Sequence, residues 1–291
     1  MDQIEKEVLE TIESGKYPIA SAKIIKSIIE VNVSNKTNNE INYAKELYLE
    51  YINELNKLDE EKLNQFLLLL KSSDVVENQR IGKEDSFLMS LYSRIQKTHA
   101  IDELLKTPIL DGDNLKKIHE VLMVGTSCQY LDNYSFRTND RKFVGCVENG
   151  ERIISYFPIL SAEIESAVVE FLDYYNAEDY NKDVFLKPIL VHGILAALQV
   201  FEDGNTRLSR LLQHVKILEN TNRIYETNYK WPIIYVSRMY YQYINNYRNA
   251  IKNLVINPSD DNINEWLLFN YRRIQEQIIK NNCNITKVLK K

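Results

Sequence analysis

The sequence predicts a mainly helical fold with one small β-hairpin. Three observations carry that prediction. Long stretches are rich in Leu, Ile, Glu and Lys, residues that lose little freedom in a helix. Eight glycines and six prolines in 291 residues are too few for the turns of an all-β design. One Asn-Gly pair, Asn149-Gly150, stands between two strand-like runs. With 26% charged and 44% hydrophobic residues, the chain has an ordinary globular composition and is long enough for one large or two modest domains.

Residues 1–60 read as accessory N-terminal helices, amphipathic but interrupted by the polar break Asn32 to Asn39. Residues 61–100 form a further helical segment, 101–255 the core, and 256–291 a C-terminal helix after the turn Asn257-Pro258-Ser259-Asp260. Within the core, Lys142 to Val147 and Arg152 to Phe157 flank Glu148-Asn149-Gly150-Glu151, a strong short-range hairpin signal. Its edge either holds a partner segment by strand addition or is a surface ribbon with no such role. Phe185 to Val200 is apolar nearly all round, with Pro188 near its start, and reads as a buried helix. Asp203-Gly204-Asn205 breaks it. Beyond the break Leu208, Leu211, Leu212, Val215 and Leu218 recur at helical spacing, while Arg207, Arg210 and His214 share another face. The run from Trp231 to Tyr247 places Tyr240, Tyr243 and Tyr247 at helical spacing, the pattern of a core aromatic stripe.

The stretch from Gln199 to Arg210 packs an acid, a small-residue turn and two arginines between two apolar runs. That is how a chain binds phosphate: a loop delivers backbone N–H groups to a helix N-terminus, and guanidinium groups add charge-assisted bonds. The plainer alternative is an interhelical turn with Asn205 or Thr206 as N-cap and solvated arginines.

The same stretch resembles the signature of the Fic family (filamentation induced by cAMP), His-x-Phe-x-Asp/Glu-Gly-Asn-Gly/Lys-Arg-x-x-Arg. Phe201, Asp203, Gly204, Asn205, Arg207 and Arg210 match. Gln199 stands where the family has its catalytic histidine, Val200 where it most often has proline, and Thr206 where it most often has glycine. With weaker matches the resemblance spans Ser72 to Arg273. Phe136-Arg137-Thr138-Asn139 followed by Phe143-Val144-Gly145 is similar to the segment that opens the family's target-docking flap. Ser73-Asp74-Val75-Val76-Glu77-Asn78 is similar to the Ser/Thr-x-x-x-Glu-Gly/Asn pattern of an inhibitory helix.

This resemblance implies a Fic-type helical bundle with a small β-hairpin flap and an ATP-type site that moves AMP to a hydroxyl of a target protein (AMPylation). Gly204, Asn205, Thr206, Arg207 and Arg210 would bind the nucleotide, with Asn205 on the α-phosphate. Tyr247 would stack on the base. The family's usual asparagine is replaced by Tyr243, so ATP or another nucleoside triphosphate is expected. Asp203 would contact Mg²⁺ arriving with the nucleotide, the target would dock on the 137–157 hairpin, and relatives sometimes form homodimers. Glu77 would pair with Arg210 and hold the site off. Read locally, Asp74 and Glu77 instead make an Asp-headed capping box, a helix-start device.

Gln199 is the decisive departure. A carboxamide has no useful proton affinity near neutral pH, and general-base help is worth roughly 10²–10⁴ in rate. Three readings stay open: a nucleotide-gated binding module, a transferase whose acceptor is intrinsically nucleophilic, or chemistry that depends more on positioning than on a base. His192, two turns earlier on the same face, is roughly 10 Å away along the axis and reads as a packing residue. His214 gains no role from its spacing, and His99 and His119 read as solvated or packing residues.

A formal charge of −5 disfavours nucleic acid as a partner. Cys128, Cys146 and Cys283 are an odd set without CxxC spacing, which disfavours a disulfide framework and zinc. No run reaches the ~18 to 20 apolar residues that span a bilayer, and no apolar segment follows Met1, so no membrane partner and a cytoplasmic location are expected.

Overall fold

The computed structural model describes residues 3–81, 87–126, 128–132, 134–148, 151–178 and 183–289; side chains are described for these except 3–5, 75–81, 87–95, 146–148, 151–152 and 288–289. In chain order the helices are α1 Gln3–Glu13, α2 Lys23–Ile29, α3 Asn35–Leu55, α4 Glu60–Ile81, α5 Phe87–Leu105 and α6 Gly112–Met123. The strands β1 Val144–Glu148 and β2 Glu151–Tyr156 follow. Then come α7 Ile164–Asn176, α8 Leu186–Leu198, α9 Asn205–Tyr225, α10 Ser237–Gln242, α11 Ile244–Ile256 and α12 Asp260–Leu289. The expected mainly helical architecture with one small hairpin is what is observed.

α8 is the axis of the molecule. Every residue from Lys187 to Leu198 is buried, which explains why the sequence there shows no polar face. Asp183 starts the helix: its Oδ1 accepts from the N–H groups of Phe185 (2.7 Å) and Leu186 (2.6 Å) and from the Tyr271 hydroxyl (2.8 Å). Pro188 falls in the first turn, where a missing N–H matters least. α9 folds back along α8, and α2, α7, α11 and α12 pack around it. α3 lies along α12, so the accessory and C-terminal segments form a helix pair whose buried side chains join the same contiguous core as α8 and α9.

Three local expectations are revised. The polar break expected from Asn32 to Asn39 is shorter: the chain is non-helical from 31 to 34, and Ser34 then caps α3 by accepting from Thr37 N–H (3.1 Å), so Asn35, Asn38 and Asn39 already lie in the helix. The capping box at Asp74 fails because Asp74 lies inside α4, whose start is served by Asp59 accepting from Lys62 N–H (2.8 Å). The buried helix stops at Leu198, two residues before Val200.

The hairpin pairs antiparallel from Glu148 opposite Glu151 to Val144 opposite Tyr156, with an irregularity between Val144 and Gly145. Its Asn149-Gly150 turn lies outside the described residues. Beyond β2, Phe157 N–H donates to Pro18 O and Ala20 N–H to Phe157 O, both at 2.9 Å, which ties the ribbon's exit to the N-terminal region. Among the described residues no helix is long and apolar enough to cross a membrane.

Candidate functional site: a braced turn between α8 and α9

The chain leaves α8 through Gln199, a left-handed residue (φ 56°, ψ 55°). Its Nε2 donates to Ala196 O at 2.7 Å, so the carboxamide caps its own helix. The Tyr156 hydroxyl reaches the same carbonyl at 3.3 Å. Phe201 is then fully buried and stacks flat on His119 of α6, ring centroids 3.8 Å apart. Asn205 closes the turn. Its Oδ1 accepts from Phe201 N–H and its Nδ2 donates to Phe201 O, both at 2.8 Å.

Gly204 (φ 75°) is required twice. L side chains resist that backbone conformation, and a Cβ would stand 2.4 Å from Met123 Sδ and 2.8 Å from His119 Nε2. His119 Nε2 lies 2.8 Å from Asp203 O; a carbonyl only accepts, so Nε2 carries the proton. Gly204, rather than Asn205 or Thr206, is the N-cap of α9. The first-turn N–H groups of a helix lack intrahelical acceptors, so this end faces an anion with donors. Thr206 lies in helical conformation, where its β-carbon is tolerated.

Asp203 Oδ1 accepts from Gly204 N–H (2.6 Å) and Oδ2 from the Cys128 thiol (2.8 Å). Desolvation pushes its pKa up, but those two bonds and the charges of Lys142 and Arg207 outweigh it and hold the carboxyl below its ordinary range. It is therefore an anion at neutral pH. Among the described residues there is no cluster of three or more His, Cys, Asp or Glu that could hold a metal alone. A single ionised carboxylate beside a helix N-terminus fits Mg²⁺ only in company, since the ion takes one or two carboxylates and would draw its other ligands from a bound phosphate and water.

The arginines differ. Arg207 is half-buried, with Nη1 3.5 Å from Met123 Sδ. Arg210 is 1% exposed, hydrogen-bonded to the Tyr247 hydroxyl, and its charge is felt by Lys97, His192 and His214. Tyr247, expected beside a base, is a core residue: its ring stacks on Tyr240 (4.8 Å) and packs near Trp266 and Phe269, and its hydroxyl is 2.9 Å from His192 Nε2. The aromatic-stripe alternative describes it. Burial drives the His192 pKa well below its usual value and that of His214 to about 3, so both are neutral packing residues at pH 7.

The hairpin root is bolted to the turn. Arg137 N–H donates to Val200 O (2.9 Å), Asn139 Nδ2 to Glu202 Oε1 (2.7 Å), and Lys142 Nζ to the carbonyls of Phe201 and Glu202. Outside this junction an open groove of about 490 Å³ runs between Lys116, Phe136, Thr138, Ser161 and Glu165. Glu77 belongs to α4, but its side chain lies outside the described residues.

The structure therefore gathers Asp203, Gly204, Asn205, Thr206 and Arg207 at one helix end, with Arg210 buried behind them. It adds four residues that sequence reasoning missed: His119, Cys128, Asn139 and Lys142. Each reaches the turn from 60 to 84 positions away, as in the pairs Asn139–Glu202, Lys142–Glu202, Cys128–Asp203 and His119–Asp203, so even for Asn139 and Lys142, which lie in the flap and hairpin segments, no local pattern shows the contact with the turn.

The Fic/DOC family profile matches residues 109–216. Solved structures of similar fold include a Fic domain containing signaling protein from Bacteroides thetaiotaomicron, at TM-score 0.62 and 15% identity over 84% of this chain and 97% of that one. A Fic family protein from Desulfovibrio desulfuricans aligns at TM-score 0.57 and 13% identity, covering 86% and 74%. Fic-1 from C. elegans aligns at 0.54 and 13%, covering 87% and 71%. At such identities the likeness is one of fold. No curated protein matches the sequence. The matched residues, 109–216, contain both the hairpin and the braced turn.

Proposed function

We propose that this domain binds a magnesium–nucleoside triphosphate at the turn between α8 and α9 and passes its nucleoside monophosphate to a hydroxyl of a protein docked along the 137–157 hairpin. Glu77 restrains the site, and Gln199 makes the transfer slow. The observation that carries the reading is the left-handed Gly204 at the head of α9, placing N–H donors, the Asp203 carboxylate and Arg207 around one point.

In this reading the phosphates meet the backbone N–H groups of Asn205 and Thr206, because the Gly204 N–H already donates to Asp203 and the Asn205 carboxamide already holds Phe201. Arg207 binds the outer oxygens, and Arg210 joins by leaving Tyr247. Asp203 would hold the Mg²⁺ that arrives with the nucleotide, and the ion would neutralise phosphate charge. The acceptor oxygen bonds to the α-phosphorus as the bond to the pyrophosphate oxygen breaks. The hydroxyl proton passes to water, since Gln199 offers no base. The groove beside the flap root gives a target chain room next to the hairpin edge.

A second reading, a nucleotide-gated binding module with negligible turnover, is favoured by one observation: the Gln199 carboxamide points back to Ala196 O and caps a helix. Incubating the protein and its Glu77→Gly variant with α-labelled ATP, CTP, GTP or UTP plus lysate separates the two. Labelled bands that vanish in Arg207→Ala support transfer, and a Gln199→His variant is expected to strengthen them by roughly 10²-fold or more. Saturable binding with no band in any variant supports the module. Absence of binding in Glu77→Gly overturns both.

A further inference from the structure

Two buried polar residues that touch no part of the proposed site, Tyr247 of α11 and His192 of α8, are linked to Arg210 of α9. All three are at most 2% exposed. Arg210 donates to the Tyr247 hydroxyl, because a guanidinium has no lone pair to offer. That hydroxyl lies 2.9 Å from His192 Nε2, and His192 Nδ1 lies 2.7 Å from Gln213 Oε1. Gln213 Oε1 is 3.1 Å from the Tyr240 hydroxyl, which also bonds Asn270 Oδ1, while Asn270 Nδ2 donates to Trp266 O at 2.8 Å. The chain therefore runs from Arg210 through the core to α12.

The order of protons follows from the arginine end. Tyr247 has one hydroxyl proton, and the acceptor beside it among the described residues is His192 Nε2. Nε2 is then the bare nitrogen, and Nδ1–H donates to Gln213 Oε1. The Tyr247 oxygen is left to accept from Arg210. Packing keeps it in place: the Tyr247 ring stacks on Tyr240 at 4.8 Å and lies 6.2 Å from Trp266, which also meets the His192 ring edge-on at 5.3 Å. A ring so enclosed does not follow the arginine when it moves. A buried guanidinium leaves such an acceptor only for a better one, and a phosphate oxygen qualifies because hydrogen bonds between charged partners are roughly twice as strong as neutral ones.

We propose that Tyr247, oriented by His192, is the acceptor Arg210 gives up when a nucleotide binds, and that this exchange makes the site selective for nucleotides with an outer phosphate over monophosphates. It rests on the reading in which Arg210 joins Arg207 on the outer phosphate oxygens, and adds the core-side contact that such binding must break. Tyr247 and His192 are then positioning residues that act through Arg210.

The test is calorimetry on the full chain with Mg²⁺ and ATP, CTP, GTP or UTP, and with the matching monophosphates. Each variant is also made in a Glu77→Gly background, so that the outcome does not depend on Glu77. Tyr247→Phe keeps the ring and removes the acceptor. It is expected to tighten the preferred triphosphate about tenfold, the worth of one hydrogen bond to a charged group, and to leave monophosphate affinity as it was. In an Arg210→Gln background the same substitution is expected to change neither. Tyr240→Phe removes a hydroxyl of the same chain that does not bond Arg210, and is expected to keep the wild-type ratio of the two affinities. His192→Gln, whose amide oxygen can still accept from Tyr247, is expected to keep it too, whereas His192→Leu moves toward Tyr247→Phe and carries the comparison if that variant fails to fold. If folded Tyr247→Phe shifts both affinities alike, shifts neither, or loosens the triphosphate, the exchange is wrong and the nucleotide site stands. A gain that persists with Arg210→Gln also overturns it, because Tyr247 then acts by another route. If no nucleotide binds in either background, the site itself is absent and the exchange falls with it.

Discussion

The turn from Gln199 to Asn205 and the hairpin from Val144 to Tyr156 are both short connections, yet they are built in opposite ways. The turn is held from every side: His119 stacks under it, Asn205 ties its ends, Arg137 and Lys142 fasten its outer carbonyls, Asn139 holds the Glu202 carboxylate, and Met123 packs against Gly204. The hairpin is a two-stranded ribbon with Ile153 exposed on its surface, fixed at its root and at the Phe157 exit. A site that must aim phosphate oxygens benefits from the first design. A surface that must accept a foreign strand needs the second, because an edge that is already paired cannot add one.

That contrast can be broken most sharply at Gly204. Gly204→Ala is expected to cost about 3 kcal/mol in urea unfolding, combining a disfavoured left-handed conformation with overlap at Met123 and His119. Nucleotide binding is expected to vanish. A loss under about 1 kcal/mol would mean the turn is far less tightly held than its contacts imply. Asn205→Ala comes next, at about 2 kcal/mol, since both Phe201 backbone groups lose their partner in a buried place. Chemical denaturation of this variant measures it, and a neutral result would show that solvent reaches the turn. The smallest global effect is expected in the hairpin. In Gly145→Ala the new Cβ would stand 2.0 Å from Ile153 O, so the strands must part, yet the rest of the core does not depend on the ribbon. Stability should fall by about 1 kcal/mol or less, while hydrogen exchange at β1 and β2 amides accelerates and target labelling is lost. A collapse in melting temperature comparable with Gly204→Ala would make the ribbon as structural as the turn.

The sequence exposes whatever depends on neighbours in the chain. The unbroken apolar run of α8, the helical spacing after Leu208, the pair of strands on either side of Asn149-Gly150 and the Gly204 break all express local rules, and each is found in the structure. Long-range partners leave no such trace. His119 carries no motif, and its stack on Phe201 exists only because α6 crosses beneath the turn. Tyr247 shows why a stripe is ambiguous: the same spacing suits a base pocket or a core, and only its contacts with Tyr240 and His192 decide. Asp74 misled for a related reason. Asp followed by Glu three residues on looks like a cap, and nothing local reveals that the helix began fourteen residues earlier, at Glu60.

The left-handed corner at Gln199 has a consequence for how readily this domain's chemistry can change. Most side chains resist such backbone angles, but histidine adopts them more readily than most, so the geometry that glutamine now occupies admits an imidazole without rebuilding the corner. The two amino acids are also one nucleotide substitution apart in the genetic code. A single mutational step in either direction therefore exchanges a carboxamide for an imidazole while leaving the braced turn as it stands, so forms of this corner with and without a proton acceptor lie one step apart.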